Sequence, residues 1–582
     1  MRFHRKALML SSLALVISLA LLALVLVPTH TPRVHAQTVI KLTDVPGRWF
    51  DPPITTIAPE TSVTFRTTTF GGTFTSAIFP CTPASISNGT CSLSNPASFP
   101  PGFPFDQPDP ITGSVTVNFT VPGIYVFADK VHPYAAGAII VSDANHPLSA
   151  KQQALLNFVA QNQLFLSQSN WIRYQAKQLK APEMPGVGEV WVDTQFESVP
   201  GQNTPGTVTA VTARDFQIRL KVNGLALCSG SDCHGIWNNP HNNWTDDAED
   251  VIYVTHWFDH VVSKVDRKTG QVLRTASVGS SPAHVITSPG NGTLWASVMG
   301  EQDVVRLDPG TLQIIARIQT GVAHTHPHGP WFTPDGRLMI VPNALSDTAG
   351  ILIFDTTNGR LLKEIPVGSE PLAVGITPDG RKAYMSNGFD ASLDVLDLTT
   401  LAVTKSIDLS DGTPGPHEFP GAFDELSLIH PFRIPIQTPV SPDGRFVLTA
   451  NLSLLGSGTI DIVDTRTDQV VERFSGEPGL HGANFGAKRG GGYYGYVTSQ
   501  YTNALTVVDL YPKGGGLPQI AGKVFLGRDG VGGEGVLPLP LAYEGWVERS
   551  VAAHAPFTGL LTKCQRHPIL YVTEPTVCPA GS

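Results

Sequence analysis

Apolar and polar side chains alternate along much of the first quarter of the chain. Ser62-Val-Thr-Phe-Arg-Thr67, Gly113-Ser-Val-Thr-Val-Asn-Phe119, Ile124-Tyr-Val-Phe127 and Ala138-Ile-Ile-Val141 lie between Pro- and Gly-rich turns. A period of two between such turns is the pattern of half-buried strands, so residues 37–145 read as a β-sandwich. Over 149–180 the apolar spacing changes to a helical period with good helix formers, and Pro182 and Pro185 end it. This predicts a short helical linker over 146–186.

From Gly188 the strand pattern returns and repeats. An apolar residue followed by Asp recurs at Val265-Asp266, Leu307-Asp308, Phe354-Asp355, Leu396-Asp397, Val463-Asp464 and Val508-Asp509, in steps of 42, 47, 42, 67 and 45 residues. In phase with it runs apolar-Gly-x-x-Pro leading to a Pro-Asp-Gly turn, as in Val367-Gly…Pro371…Thr377-Pro-Asp-Gly380, with further turns at Thr333–Gly336 and Ser441–Gly444. A period of 40–50 residues with several short strands per unit is the signature of a β-propeller. The earlier strands Glu189-Val-Trp-Val192, Val208-Thr-Ala-Val211 and Ile218-Arg-Leu-Lys221 bring the count to seven units over 187–545. The predicted class is all-β: sandwich, helical linker, seven-bladed propeller.

Two resemblances follow from particular residues. Ile252-Tyr-Val-Thr-His256, Ala383-Tyr-Met-Ser-Asn387 and Tyr496-Val-Thr-Ser499 stand where the name-giving motif of YVTN-type propellers falls. In such a blade the innermost strand follows the Pro, and the second strand ends at the YVTN-like position. The Pro-Asp-Gly and Asp turns then share one face of the ring, and the Gly-x-x-Pro connections the other. The segment 122–137 resembles the closing strand and loop of cupredoxins, which carry Cys-x-x-His-Pro and then Met. His132-Pro133 is present, but Asp129 stands at the Cys position and Ala135 at the Met position, and 68–80 holds no His, Ser76 standing about where one is expected. One imidazole cannot replace two imidazoles and a thiolate, so the resemblance implies the fold without a type 1 copper.

Composition agrees and adds a compartment. Charged residues are 15% of 582, against 56 Gly and 48 Pro, and the net charge is −9. Such a chain is rich in turns and has no basic run, which excludes nucleic acid as a partner. Arg2, Arg5 and Lys6 precede an apolar run over 7–27, and Val34-His35-Ala36 has signal-peptidase spacing. Residues 1–36 read as a signal peptide, with membrane attachment expected only if the segment stays as an uncleaved anchor. Either way the remainder is expected to be secreted or extracytoplasmic. Six cysteines fall in three close pairs, Cys81/Cys91, Cys228/Cys233 and Cys564/Cys578, which suits local disulfides in an exported chain. The last clips a tail over 546–582.

Histidine carries the candidate chemistry. Eleven fall within 188–545, at 234, 241, 256, 260, 284, 324, 326, 328, 417, 430 and 481. All are assigned by the repeat to the Gly-x-x-Pro face. His241, His284 and His328 follow Pro240, Pro282 and Pro327 by one or two residues, and His481 follows Pro478, so they start inner strands that surround the axis. Neutral imidazole is the commonest metal ligand. His241, His256, His284, His326, His328, His430 and His481 are therefore the predicted ligands, with copper expected and haem or another transition metal as alternatives. Asp246, Asp247, Asp259 and Glu418 are candidates to orient them. Trp237, Trp244, Trp257 and Trp331 lie among the same loops, as packing or as a stacking wall. Cys228-x4-Cys233-His234 resembles a stretched haem-attachment sequence, although a disulfide explains the same cysteines.

A cupredoxin-like domain joined to a His-rich propeller resembles nitrous oxide reductase, with the domain order reversed and the electron-entry cysteines absent. That likeness implies only that such a scaffold can hold copper on its axis. The expected function is an exported metal-binding redox or metal-handling protein; catalytic residues, substrate and redox partner are not readable. The alternatives are a non-catalytic extracellular scaffold for a protein or glycan and, third, a hydrolase or lactonase, for which no Gly-x-Ser-x-Gly element is present.

Overall fold

The computed structural model describes residues 38–43, 49–52, 54–67, 114–119, 123–128, 136–142 and 180–578. Within the last span, 200–201, 224, 226–239, 258, 321–325, 345–349, 389, 411–432, 453–456, 500–503 and 527–529 are not described. The expected signal peptide, the helix over 149–179 and the degenerate copper loop at Asp129 to Ala135 lie outside the described residues. So do Ser76, Trp237, His430 and the cysteines at 81, 91, 228 and 233.

Near the amino end, four strands order as Trp49–Asp51, Thr38–Thr43, Thr61–Thr67, Ser114–Phe119, and three as Ile54–Ile57, Ala136–Val141, Gly123–Ala128. One pair in each sheet is parallel. Alternation does what the pattern predicts: Ile40, Val63, Phe65, Phe119 and Ile139 are buried.

Beyond residue 188 the chain forms seven four-stranded antiparallel sheets, the blades of a β-propeller. Blade two is Pro240–Thr245, Val251–His256, Val261–Asp266 and Val272–Ser277, from the axis outward. Blade three is Pro282–Thr287, Leu294–Val298, Asp303–Leu307 and Ile314–Gln319. Inner strands such as Pro282–Thr287 and second strands such as Val251–His256 are buried, while outer strands such as Ile314–Gln319 are mostly exposed. Blade one differs: Glu189–Val199, Gln202–Thr212 and Ile218–Val222 take their innermost strand from the far end of the domain, Gly530–Leu539. This strand packs beside the inner strands of blades two and seven and closes the ring.

The repeat motifs are turn chemistry. The carboxylates of Asp266, Asp308 and Asp397 accept hydrogen bonds from backbone N–H groups two and three residues on, so each Asp closes its own turn. In the Pro-Asp-Gly turns, Thr333, Thr377 and Ser441 donate to Asp335, Asp379 and Asp443, each at 2.6 Å. Both turn types lie on one face, as the repeat predicts. The carboxyl-terminal helix Trp546–Ala552 docks on that face: Trp546 donates its indole N–H to Thr287 O at 2.7 Å, and Arg549 pairs with Asp247 at 2.9 Å. Cys564 and Cys578 form the expected disulfide. Among the described residues no helix is long and apolar enough to cross a membrane.

Candidate metal centre

A repeated irregularity sets the site. Where each inner strand leaves its Pro or Leu, the register with the second strand slips: between Pro240 and Asn243, Pro282 and Val285, Pro371 and Val374, and Leu480 and Ala483. Such bulges kink a strand and re-aim its side chains. His241, His284 and His481 sit within three of them. A hydroxyl near the end of the second strand holds each bulge. Thr255 accepts from Asn242 N–H and donates to Ala283 O in the next blade. Ser297 accepts from His284 N–H and donates to His328 O. Thr498 accepts from Gly482 N–H and donates to Glu534 O. The clasp therefore positions both the kink and its neighbour.

Two of these imidazoles, those of His241 and His284, meet His328, so that three consecutive blades each contribute one. His241, His284 and His328 each offer a ring nitrogen, all within 4.8 Å of one another. His284 and His328 have ring centroids 4.8 Å apart, and His241 lies 5.6 Å from each. His481 is 5.6 Å from His241 and is not one of the trio. His241, His284 and His328 are at most 9% exposed, and His481 8%, so each is removed from bulk water. Burial pushes His241 and His328 down to about 3 and His481 to about 4, and holds His284 well below the usual range. All four are neutral at physiological pH, the form that ligates.

Two of the trio have one ring nitrogen fixed. His241 Nδ1 pairs with Glu534 Oε2 at 2.6 Å, and His328 Nδ1 with Leu372 O at 2.9 Å. Nε2 of His241 and Nε2 of His284 have no hydrogen-bond partner. A buried imidazole nitrogen without a partner is costly, and a metal satisfies it. Bonds of about 2.0–2.1 Å put tetrahedral ligand atoms about 3.4 Å apart, so small ring rotations close the trio on one ion. Trp257 packs edge-on to His241 at 4.8 Å.

Other expected ligands are elsewhere. His326 Nδ1 meets Met299 O at 3.2 Å, so His326 does not join His328, and His324 lies outside the described residues. His256 is buried at the end of the second strand, opposite Pro240, outside the trio. Asp246 and Asp247 are on the turn face, engaged with Asp250 N–H and Arg549, and orient no ligand. That role falls to Glu534, which the sequence reading missed. Its signal was an acid amid glycines, Gly532-Gly-Glu-Gly535, in a strand otherwise apolar. Gly535 is required there: a Cβ would stand 2.3 Å from Asp193 Oδ2 and 2.9 Å from His241 O.

The floor of the channel is aromatic. Trp244 packs edge to face on Trp331 and Trp546 at 5.5 and 5.7 Å, Trp331 and Trp546 lie tilted at 5.3 Å, and Tyr543 meets Trp331 at 5.2 Å. The packing role expected for Trp244 and Trp331 is thus realised below the histidines, with a helix of the tail completing it.

No protein-family model matches this chain, and no curated protein matches it in sequence. Among solved structures, hydrazine synthase of Kuenenia stuttgartiensis is similar over 47% of this chain and 77% of its own, at 17% identity and TM-score 0.38. A putative 6-phosphogluconolactonase from Bacteroides uniformis is similar over 60% and 98%, at 17% identity and TM-score 0.44. Neither likeness carries a function to this chain.

Proposed function

We propose that the propeller is the metal-binding domain of an exported redox or metal-handling protein, with copper held by His241, His284 and His328. The observation that carries this is the meeting of three neutral imidazoles from three blades, two of them with buried, unpartnered Nε2 atoms. An all-nitrogen donor set suits copper, zinc or nickel, and copper stands highest among the divalent first-row ions. Glu534 on Nδ1 of His241 is the carboxylate that commonly orients a ligating imidazole. His481 is available as a fourth nitrogen.

The YVTN-type resemblance is supported by the clasp hydroxyls, since Thr255 and Thr498 belong to the quoted motifs. The amino-terminal sheets, with their parallel pairs, suit a cupredoxin-like domain without its copper. Export is read from the amino-terminal sequence.

Elemental analysis of the purified chain before and after copper or zinc addition tests the proposal. One equivalent of copper with nitrogen hyperfine structure in its EPR spectrum is expected. Replacing His241, His284 and His328 together by Ala should abolish uptake. A folded protein that takes up no transition metal sinks the metal centre and leaves the extracellular binding scaffold.

A further inference from the structure

Between the histidines and the aromatic floor lies a small chamber on the axis. Its volume is about 40 Å³, and its lining includes His284, Asn243, Trp244, Trp331, Ala373 and Asn484. That is room for about two or three atoms of water size. No lining side chain carries a charge. Asn484 is committed, its Nδ2 donating to Val536 O at 3.0 Å and its Oδ1 engaged by Tyr543. Asn243 is different: it is 1% exposed, its side-chain amide bonds the carboxyl of the fully buried Asp193, and its Oδ1 has no partner. A buried amide oxygen left unsatisfied costs stability, unless something in the chamber bonds to it.

We propose that this chamber is the ligand pocket of the histidine centre and takes a neutral, hydrogen-bonding molecule of two or three heavy atoms. Volume sets the size. The absence of Lys and Arg from the lining disfavours an anion. Asn243 supplies an acceptor, its Oδ1, and the His284 ring places the ligand against the trio. Trp244 and Trp331 close the far side, so the ligand arrives through the histidine face. The functional meaning rests on the metal centre proposed above, but the chamber is testable without metal.

Crystals of the full chain are soaked in formamide (three heavy atoms) and, separately, in N,N-dimethylformamide (five). Formamide density bonded to Asn243 is expected, and none from the larger amide. Asn243→Ala should raise the formamide concentration for half occupancy about fivefold, the loss of about one hydrogen bond. Ala373→Val, which fills the chamber, should abolish binding. No formamide density, equal entry of both amides, or unchanged binding in Asn243→Ala overturns the proposal. Copper uptake is measured on the same proteins. Copper bound without formamide sinks the chamber alone; formamide bound without copper sinks the centre alone.

Discussion

At the scale of single residues, the four buried imidazoles make acid stability a sharp observable. In the unfolded chain they protonate near 6.5; folded, burial holds His241 and His328 neutral to about 3 and His481 to about 4, and keeps His284 well below its ordinary value. Their folded values are depressed, so the unfolded state binds more protons below 6.5. Stability that is whole above about 6.5 is lost as the pH falls towards about 4. The loss is up to about 1.4 kcal/mol per pH unit for each histidine. Urea unfolding of the metal-free chain between pH 7.5 and 4.5 should show this, and His284→Asn should flatten it. A pH-independent midpoint would contradict the burial. Glu534→Gln keeps a bonding atom beside His241 but removes the carboxylate. Copper affinity should fall about 10- to 100-fold by competition with a chelator, with the melting temperature little changed.

Among elements, the clasp between blades ties geometry to stability. Ser297 serves two backbone groups, His284 N–H and His328 O. Ser297→Ala leaves both buried and unpaired, for a loss of about 1–3 kcal/mol, and frees two ligands at once. Its EPR parameters should shift, whereas Thr506→Ala, in the buried third strand of blade seven, should leave them unchanged. A carboxyl beneath the docked tail, Glu249 of blade two, titrates in the opposite sense to the histidines. Burial pushes Glu249 up to about 8, while its carboxylate accepts from Leu541 N–H at 2.8 Å. A raised carboxyl favours the folded state at low pH: its contribution is whole below about 4.5 and lost as the pH rises through about 8. Glu249→Gln should remove that alkaline decline in thermal melts. An unaltered profile would show that Glu249 is ionised when folded.

For the whole molecule, ring closure depends on one pairing, Gly530–Leu539 with Glu189–Val199. It joins the two ends of the domain, so a chain cut before Gly530 should fail to fold cooperatively, whereas one cut after the ring keeps its blades. The tail is held at several points, including Gln565 to Lys488 O and Gly492 O. Its Cys564–Cys578 bridge spans 14 residues, worth about 3 kcal/mol in the chain-entropy account. Reduction should loosen the tail and the floor under Trp331, read as increased tryptophan quenching, without releasing metal held by the histidines.

Local chemistry could be read directly. The Asp turns, the Pro-Asp-Gly turns and strands such as Thr61–Thr67 rest on residues a few positions apart, where alternation and hydrogen-bonding side chains act alone. So the all-β class and the face on which His241, His284 and His328 gather were accessible from order along the chain. What order could not supply was the kink. A bulge appears only when two strands pair, and it decided that His284 turns to the axis while His326 turns to Met299 O. Nor could it supply Glu534, brought to His241 across the whole domain by closure of the ring. The sequence by itself determined the repeat and the placement of imidazoles on one rim, because both follow from periods within a blade. Only the tertiary structure selected three of them, their orienting carboxylate and the chamber beneath, because these arise where strands distant in sequence approach one axis.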